Sequence, residues 1–156
     1  MPPSKPRYAV PLHIDPRYSA RVRSRSLAAL ARRVLAAEDV EAGSLLSIVV
    51  TDDATVRGLN KRFLGIDEPA DVLSFGLDTK ARFVTPDTAE RQLGEVVISL
   101  PAARRQAREA GHPLDDEVAH LLVHGTLHIL GYDHQRPAQE RRMRSREDEL
   151  LRRSAH

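Results

Sequence analysis

Residues 114–134 read LDDEVAHLLVHGTLHILGYDH, and this stretch decides both where the core lies and what chemistry it carries. Its apolar positions fit a helix over residues 114–130. Val118, Leu122 and Ile129 lie on one flank of a histidine line, with Val123, Leu127 and Leu130 on the other. A helix apolar on both flanks belongs in the middle of a molecule. At about 3.6 residues per turn, His124 and His128 stand one above the other on the same face. Gly131 marks the stop, because glycine tolerates the left-handed conformation just past a helix end. The chain then turns, and His134 is able to swing back over the two helical imidazoles. Three neutral imidazoles with one open position form a catalytic zinc arrangement, not a closed structural one.

An i,i+4 histidine pair also arises on ordinary helices, so the pair alone does not define a metal site. The third histidine, just past a glycine break, does. The ligands follow H-x3-H-x5-H, the spacing of the extended metzincin motif. The glutamate of H-E-x-x-H, which would be the general base, is absent, and Gly125 takes its place. A metal is therefore expected and a conventional metalloprotease mechanism is not. Asp133 either holds the second ring nitrogen of a ligand histidine or caps the loop. Tyr132 either packs the turn or touches substrate. His120 extends the stripe by one turn, about 6 Å along the axis from His124. It is expected to line the pocket or face solvent without reaching the metal. His112, between Gly111 and Pro113, has the place of a structural turn residue.

Three further observations carry a resemblance. HGTLHILGYDH at 124–134 is close to a known metal motif. LNKRFLGIDEPADVLSF at 59–75 and GEVVISL at 94–100, followed by ARRQAREAGH, occur in the expected order. Together they span about residues 43–135, and in them the chain resembles the bacterial YbeY family of single-strand-specific endoribonucleases, the rRNA maturation factors. The resemblance implies a metal-dependent enzyme with His124, His128 and His134 as ligands of one zinc per chain, or of another transition metal such as nickel. It implies single-stranded RNA, in particular rRNA precursor, as substrate, and the small ribosomal subunit or its proteins as partners. It implies neither DNA nor a membrane.

The same resemblance directs attention to other positions. Ser74 lies in a stretch that borders the cleft in the family, so it is a candidate for substrate contact. A buried strand hydroxyl satisfied by the sheet is the alternative. Glu95 falls where the family commonly has Asp, and is the candidate for the unassigned base; a rim or turn hydrogen bond is its other reading. The family carries an arginine thought to help catalysis in the segment matched by Phe63, Leu64 and Gly65. Leu64 is the aligned residue here, with Arg62 and Lys61 nearby in sequence. Arg104, Arg105 and Arg108 form a basic cluster that either follows an RNA backbone or is a solvated face.

Composition narrows the alternatives. The 156 residues suffice for one domain spanning the whole chain, with residues 1–7 as a loose leader. There is no cysteine, which excludes thiolate metal sites, cysteine nucleophiles and a disulfide scaffold. No apolar run approaches the roughly 20 residues of a membrane span, and the start lacks the apolar stretch of a signal peptide. A cytoplasmic protein is expected. Net charge is +2 but unevenly spread: residues 1–33 hold eight Lys or Arg against one acidic residue, and residues 34–100 hold six against twelve. Such segregation suits a positive surface that meets phosphates, or simply solvated helix faces in an arginine-rich chain. With three phenylalanines and three tyrosines, a stacking platform for bases is poorly supported.

Along the chain, a first strand is expected over residues 8–14, at an edge because of Pro11. A helix follows over 20–37 and a buried strand over 45–50. Thr51 is expected to cap the next helix, which ends at Gly65. Residues 71–75 read as a central strand and 77–93 as a surface loop. A fourth strand covers 96–100, then a helix from Pro101 to about residue 110. A charged last helix over 138–152 turns Met143 and Leu150 inward. The fold class is α/β, close to α+β, with a mixed sheet of about four strands packed by helices and the metal site on the central helix and its following turn. Three functions remain open: the metal-dependent endoribonuclease, a non-catalytic metal-containing ribosome assembly factor, and a metallohydrolase of amide bonds.

Overall fold

Every residue of Ser44–Thr51 is buried, and the sheet assembles around this strand, β2. A strand buried on both faces needs cover on both. The computed structural model describes residues 7–76, 91–132 and 135–154. Strand β1 (Leu12–Ile14) pairs parallel with one side of β2, Leu12 opposite Ile48. Strand β4 (Arg91–Ser99) pairs parallel with the other side, and β3 (Val72–Gly76) runs antiparallel along β4. The order is β1-β2-β4-β3, a four-stranded mixed sheet of an α/β fold, as expected.

Side-chain alternation divides the core. Leu46, Ile48 and Val50 of β2 and Val96 and Ile98 of β4 join helices α1 (Ser24–Ala37), α4 (Leu114–Ile129) and α5 (Pro137–Ser154). On the other face, Val49, Val97, Leu73 and Phe75 meet Val56 and Leu59 of helix α2 (Asp53–Leu64). Helix α3 (Leu100–Ala110) lies against α4. The histidine helix α4 also touches α1, α5, β3 and β4, which is the central place its two apolar flanks predict. Leu121, Leu122, Val123 and Leu127 are buried there. Removing the Leu122 side chain would cost about 2–5 kcal/mol.

Several expectations need correction. The strand at 71–75 is not central: β3 lies at the edge, and β4 has the inner position. It reads as apolar because α4 covers one of its faces and α2 the other. β4 begins at Arg91, five residues before the expected start at Val96, so 91–93 are strand and not loop. Residues 77–90 lie outside the described residues. Thr51 ends β2 with its side chain buried, and Asp52 is the cap of α2, its carboxylate accepting the Thr55 N–H at 2.8 Å. Residues Pro16–Arg21 form a separate 3-10 turn under the Asp15 carboxylate, so α1 starts at Ser24. Met143 and Leu150 are buried, as expected for α5.

Candidate metal centre

The last turns of α4 place His124 and His128. Below them the Thr126 hydroxyl donates to the Leu122 carbonyl at 2.7 Å, which keeps this polar side chain satisfied inside the core. The helix closes in a Schellman motif: the Tyr132 N–H reaches the Leu127 carbonyl at 3.0 Å and the Gly131 N–H reaches that of His128 at 3.1 Å. Gly131 has φ 105°, the conformation that makes glycine the residue for this turn. His124 is half-buried and His128 exposed. Asp133 and His134 lie outside the described residues. Among the described residues no three His, Asp or Glu side chains gather so as to hold a metal ion.

The sequence reading missed Glu147. On the otherwise charged α5, Met143, Glu147 and Leu150 share one buried stripe, and the Glu147 side chain enters the core beside the histidine line. One carboxylate oxygen lies 2.8 Å from His124 Nδ1 and the other 3.4 Å from His120 Nε2. Burial pushes this carboxyl up, but hydrogen bonds from the two imidazoles outweigh it and bring the group down to about 2. The hydrogen bond to Glu147 raises His120 against the opposing effect of burial. Behind His120, buried Glu117 pairs with His112 Nε2 at 3.1 Å, so His112 ties the α3–α4 turn to α4. At His124 the Nδ1 side is thus taken by a carboxylate from another helix. The signal for it was available: a glutamate at i+4 from Met143 and i−3 from Leu150, within an inward stripe.

These donors suit a metal ion. Metal-binding imidazoles characteristically give their other ring nitrogen to a carboxylate, and Glu147 occupies that position on His124. Nitrogen donors of this kind fit zinc, nickel and their neighbours.

The remaining candidate residues are dispersed. Ser74 donates its hydroxyl to the Gly125 carbonyl at 3.0 Å, joining β3 to α4 directly under the histidines. Glu95 pairs across the sheet with Phe75 and shares the face of Phe75 and Val97, on the α2 side. Strand alternation therefore directs it away from α4, which rests on Val96, Ser74 and Val72. Leu64 is exposed at the end of α2, beside Phe63, over whose ring the Arg62 guanidinium stacks at 5.1 Å. Arg105 pairs with Asp53 at 2.9 Å, a carboxylate that also accepts the Ser99 hydroxyl. Arg104 and Arg108 lie one turn apart on α3.

Fold and site together define a class: a small α/β protein with a helix-borne histidine pair backed by a buried carboxylate, suited to metal-ion chemistry. Residues 14–155 match the family described as Endoribonuclease YbeY. A relative of that name from Roseiflexus castenholzii is 43% identical over 143 residues, covering 91% of this chain and 90% of the relative. Another, from Pelotomaculum thermopropionicum, is 47% identical over 121 residues, 78% of this chain and 79% of its own. The solution structure of a Thermotoga maritima protein shares the fold, with a TM-score of 0.59 over 94% of this chain and 88% of that one at 20% identity. The chain belongs to the Endoribonuclease YbeY family, as its motifs predict.

Proposed function

We propose that this protein is a metal-dependent endoribonuclease that cuts single-stranded RNA in rRNA maturation and ribosome quality control. The observation that carries this reading is the pair His124 and His128 on α4, with Glu147 on the Nδ1 side of His124, in a chain of this family. His124, His128 and His134 would hold one zinc ion, with nickel as the alternative. When bound, such an ion polarises a phosphoryl oxygen and lowers the pKa of a water toward about 7. The chain's own part is to fix the imidazoles and to receive the RNA backbone, with Arg104 and Arg108 as candidate phosphate contacts. Ser74 supports the floor through Gly125 and reaches substrate only if that hydrogen bond is exchanged. Its substrate is rRNA precursor, met in the cytoplasm with the small ribosomal subunit. Among the described residues no helix is long and apolar enough to cross a membrane.

Gly125 speaks against the amide-hydrolase alternative. The place of the metalloprotease glutamate faces the sheet, where a Cβ would already meet Val96 at 2.8 Å. The test uses purified protein, matched single-stranded and duplex RNA, and casein as a protein control. Single-stranded RNA should be cut fastest, casein not at all, and chelation followed by zinc should abolish and restore cutting. His128→Ala and His134→Ala should both reduce metal content and cleavage. Cutting that survives chelation and both variants would assign the activity elsewhere. Bound metal and retained ribosome binding without any cleavage would establish the assembly-factor reading instead.

A further inference from the structure

Five side chains alternate along α4 and its neighbours: His112, Glu117, His120, Glu147 and His124. The links measure 3.1 Å from His112 to Glu117 and 3.9 Å from Glu117 to His120. They measure 3.4 Å from His120 to Glu147 and 2.8 Å from Glu147 to His124. Both carboxylates are buried, at 6% exposure for Glu117 and 4% for Glu147. Burying a carboxylate is costly even when it is paired, and apolar residues replacing a whole buried pair are often neutral or stabilising. Docking α5 does not need the charge, since Met143 and Leu150 already anchor the same stripe.

The short link has a definite chemical consequence. An ionised carboxylate only accepts hydrogen bonds. With Glu147 at 2.8 Å from Nδ1, a neutral His124 that donates to this carboxylate carries its proton on Nδ1 and its lone pair on Nε2. His120 is at the long end of hydrogen-bond distance from the second oxygen, so it braces the carboxylate instead of competing for it.

We propose that Glu147 is a positioning residue that fixes the tautomer and ring orientation of His124, presenting Nε2 as the metal ligand, with His120 bracing the carboxylate from its other side. This inference rests on the metal reading above. It assigns α5 a task beyond covering the core, because the helix carries the group that prepares the ligand.

Two variants separate positioning from packing. Glu147→Leu removes the acceptor and keeps the stripe apolar; Glu147→Gln keeps a neutral acceptor of the same shape. Zinc affinity, measured by competition with a chelator of known strength, should fall in the order wild type, Gln, Leu. The Leu variant should be about 10–100-fold weaker than wild type. Metal-free stability is measured alongside, because removing one partner of a buried pair itself costs stability; a purely structural glutamate would lower stability without moving the His124 proton. Nitrogen-15 NMR of the metal-free protein should show the His124 proton on Nδ1 in wild type and displaced toward Nε2 in Glu147→Leu. His120→Gln should give a smaller loss of affinity than either. Equal zinc affinity in wild type and Glu147→Leu, or a wild-type proton on Nε2, would overturn the positioning role alone. Wild-type protein that takes up no zinc would overturn the metal reading itself and this inference with it.

Discussion

A Cβ placed on Gly125 would stand 2.8 Å from Val96 Cγ1, 3.0 Å from the Ser74 hydroxyl and 3.3 Å from Val72 Cγ2. Two of these neighbours are β-branched and stiff about χ1, so the sheet does not yield cheaply. Alanine improves on glycine inside a helix by about 0.5–1 kcal/mol, while overpacking a core costs about 1–3 kcal/mol. Gly125→Ala should therefore lower unfolding free energy by about 1–2 kcal/mol, read from urea denaturation of the metal-free protein. Unchanged or increased stability would show that β3 and β4 can retreat. The missing glutamate of the zinc motif is thus a packing requirement: α4 sits so close to the sheet that position 125 admits no side chain. The sequence displays that absence but not its cause, which depends on a contact between segments far apart in the chain. Glu147 escaped for a similar reason. A glutamate among so many charged residues reads as solvated until Met143 and Leu150 reveal which way its stripe faces.

At the level of elements, α2 offers a test of how a cap works. The Asp52 carboxylate accepts the Thr55 N–H and is joined by Arg17, and these bonds hold it at about 2, below its ordinary value of 3.8. A folded value below the unfolded one means that ionised Asp52 stabilises the protein. That contribution is fully present above pH 3.8 and is lost as pH falls through about 2. Asp52→Ala should cost about 0.5–2 kcal/mol near neutral pH. Its stability should also fall less steeply in acid than that of wild type. Parallel curves down to low pH would show that the cap contributes nothing through its charge. Sequence periodicity locates this helix and its glycine stop but places the cap one residue early, because Thr51 and Asp52 are both capable of it. Only the burial of Thr51 at the end of β2 decides between them. The edge position of β3 was illegible for a related reason: cover from helices on both faces gives an edge strand the composition of a central one.

For the whole molecule, the uneven charge along the chain becomes pairing across the fold. Arg17 from the basic N-terminal segment meets Asp52, Arg105 meets Asp53, and Arg146 of the last helix meets Glu38. Part of the positive charge that composition suggests is therefore neutralised by the acidic middle of the sequence. The three arginines of α3 are not equivalent in this respect. Arg105 is turned to Asp53, whereas Arg104 and Arg108, one helical turn apart, form no ion pair among the described residues. Each phosphate neutralised on a single strand contributes about 0.7 to the slope of log affinity against log salt. If Arg104 and Arg108 each meet one phosphate, replacing both with alanine should reduce the slope by about 1.4 and weaken binding most at low salt. Arg105→Ala should change the slope far less, because its charge is already engaged by Asp53. The measurement is a salt titration of RNA binding with the metal removed, so that cleavage does not consume the ligand. A double variant with unchanged affinity and slope would make this face a solvated one and move the RNA path elsewhere. A large effect from Arg105 alone would mean that the Asp53 pair opens when RNA binds.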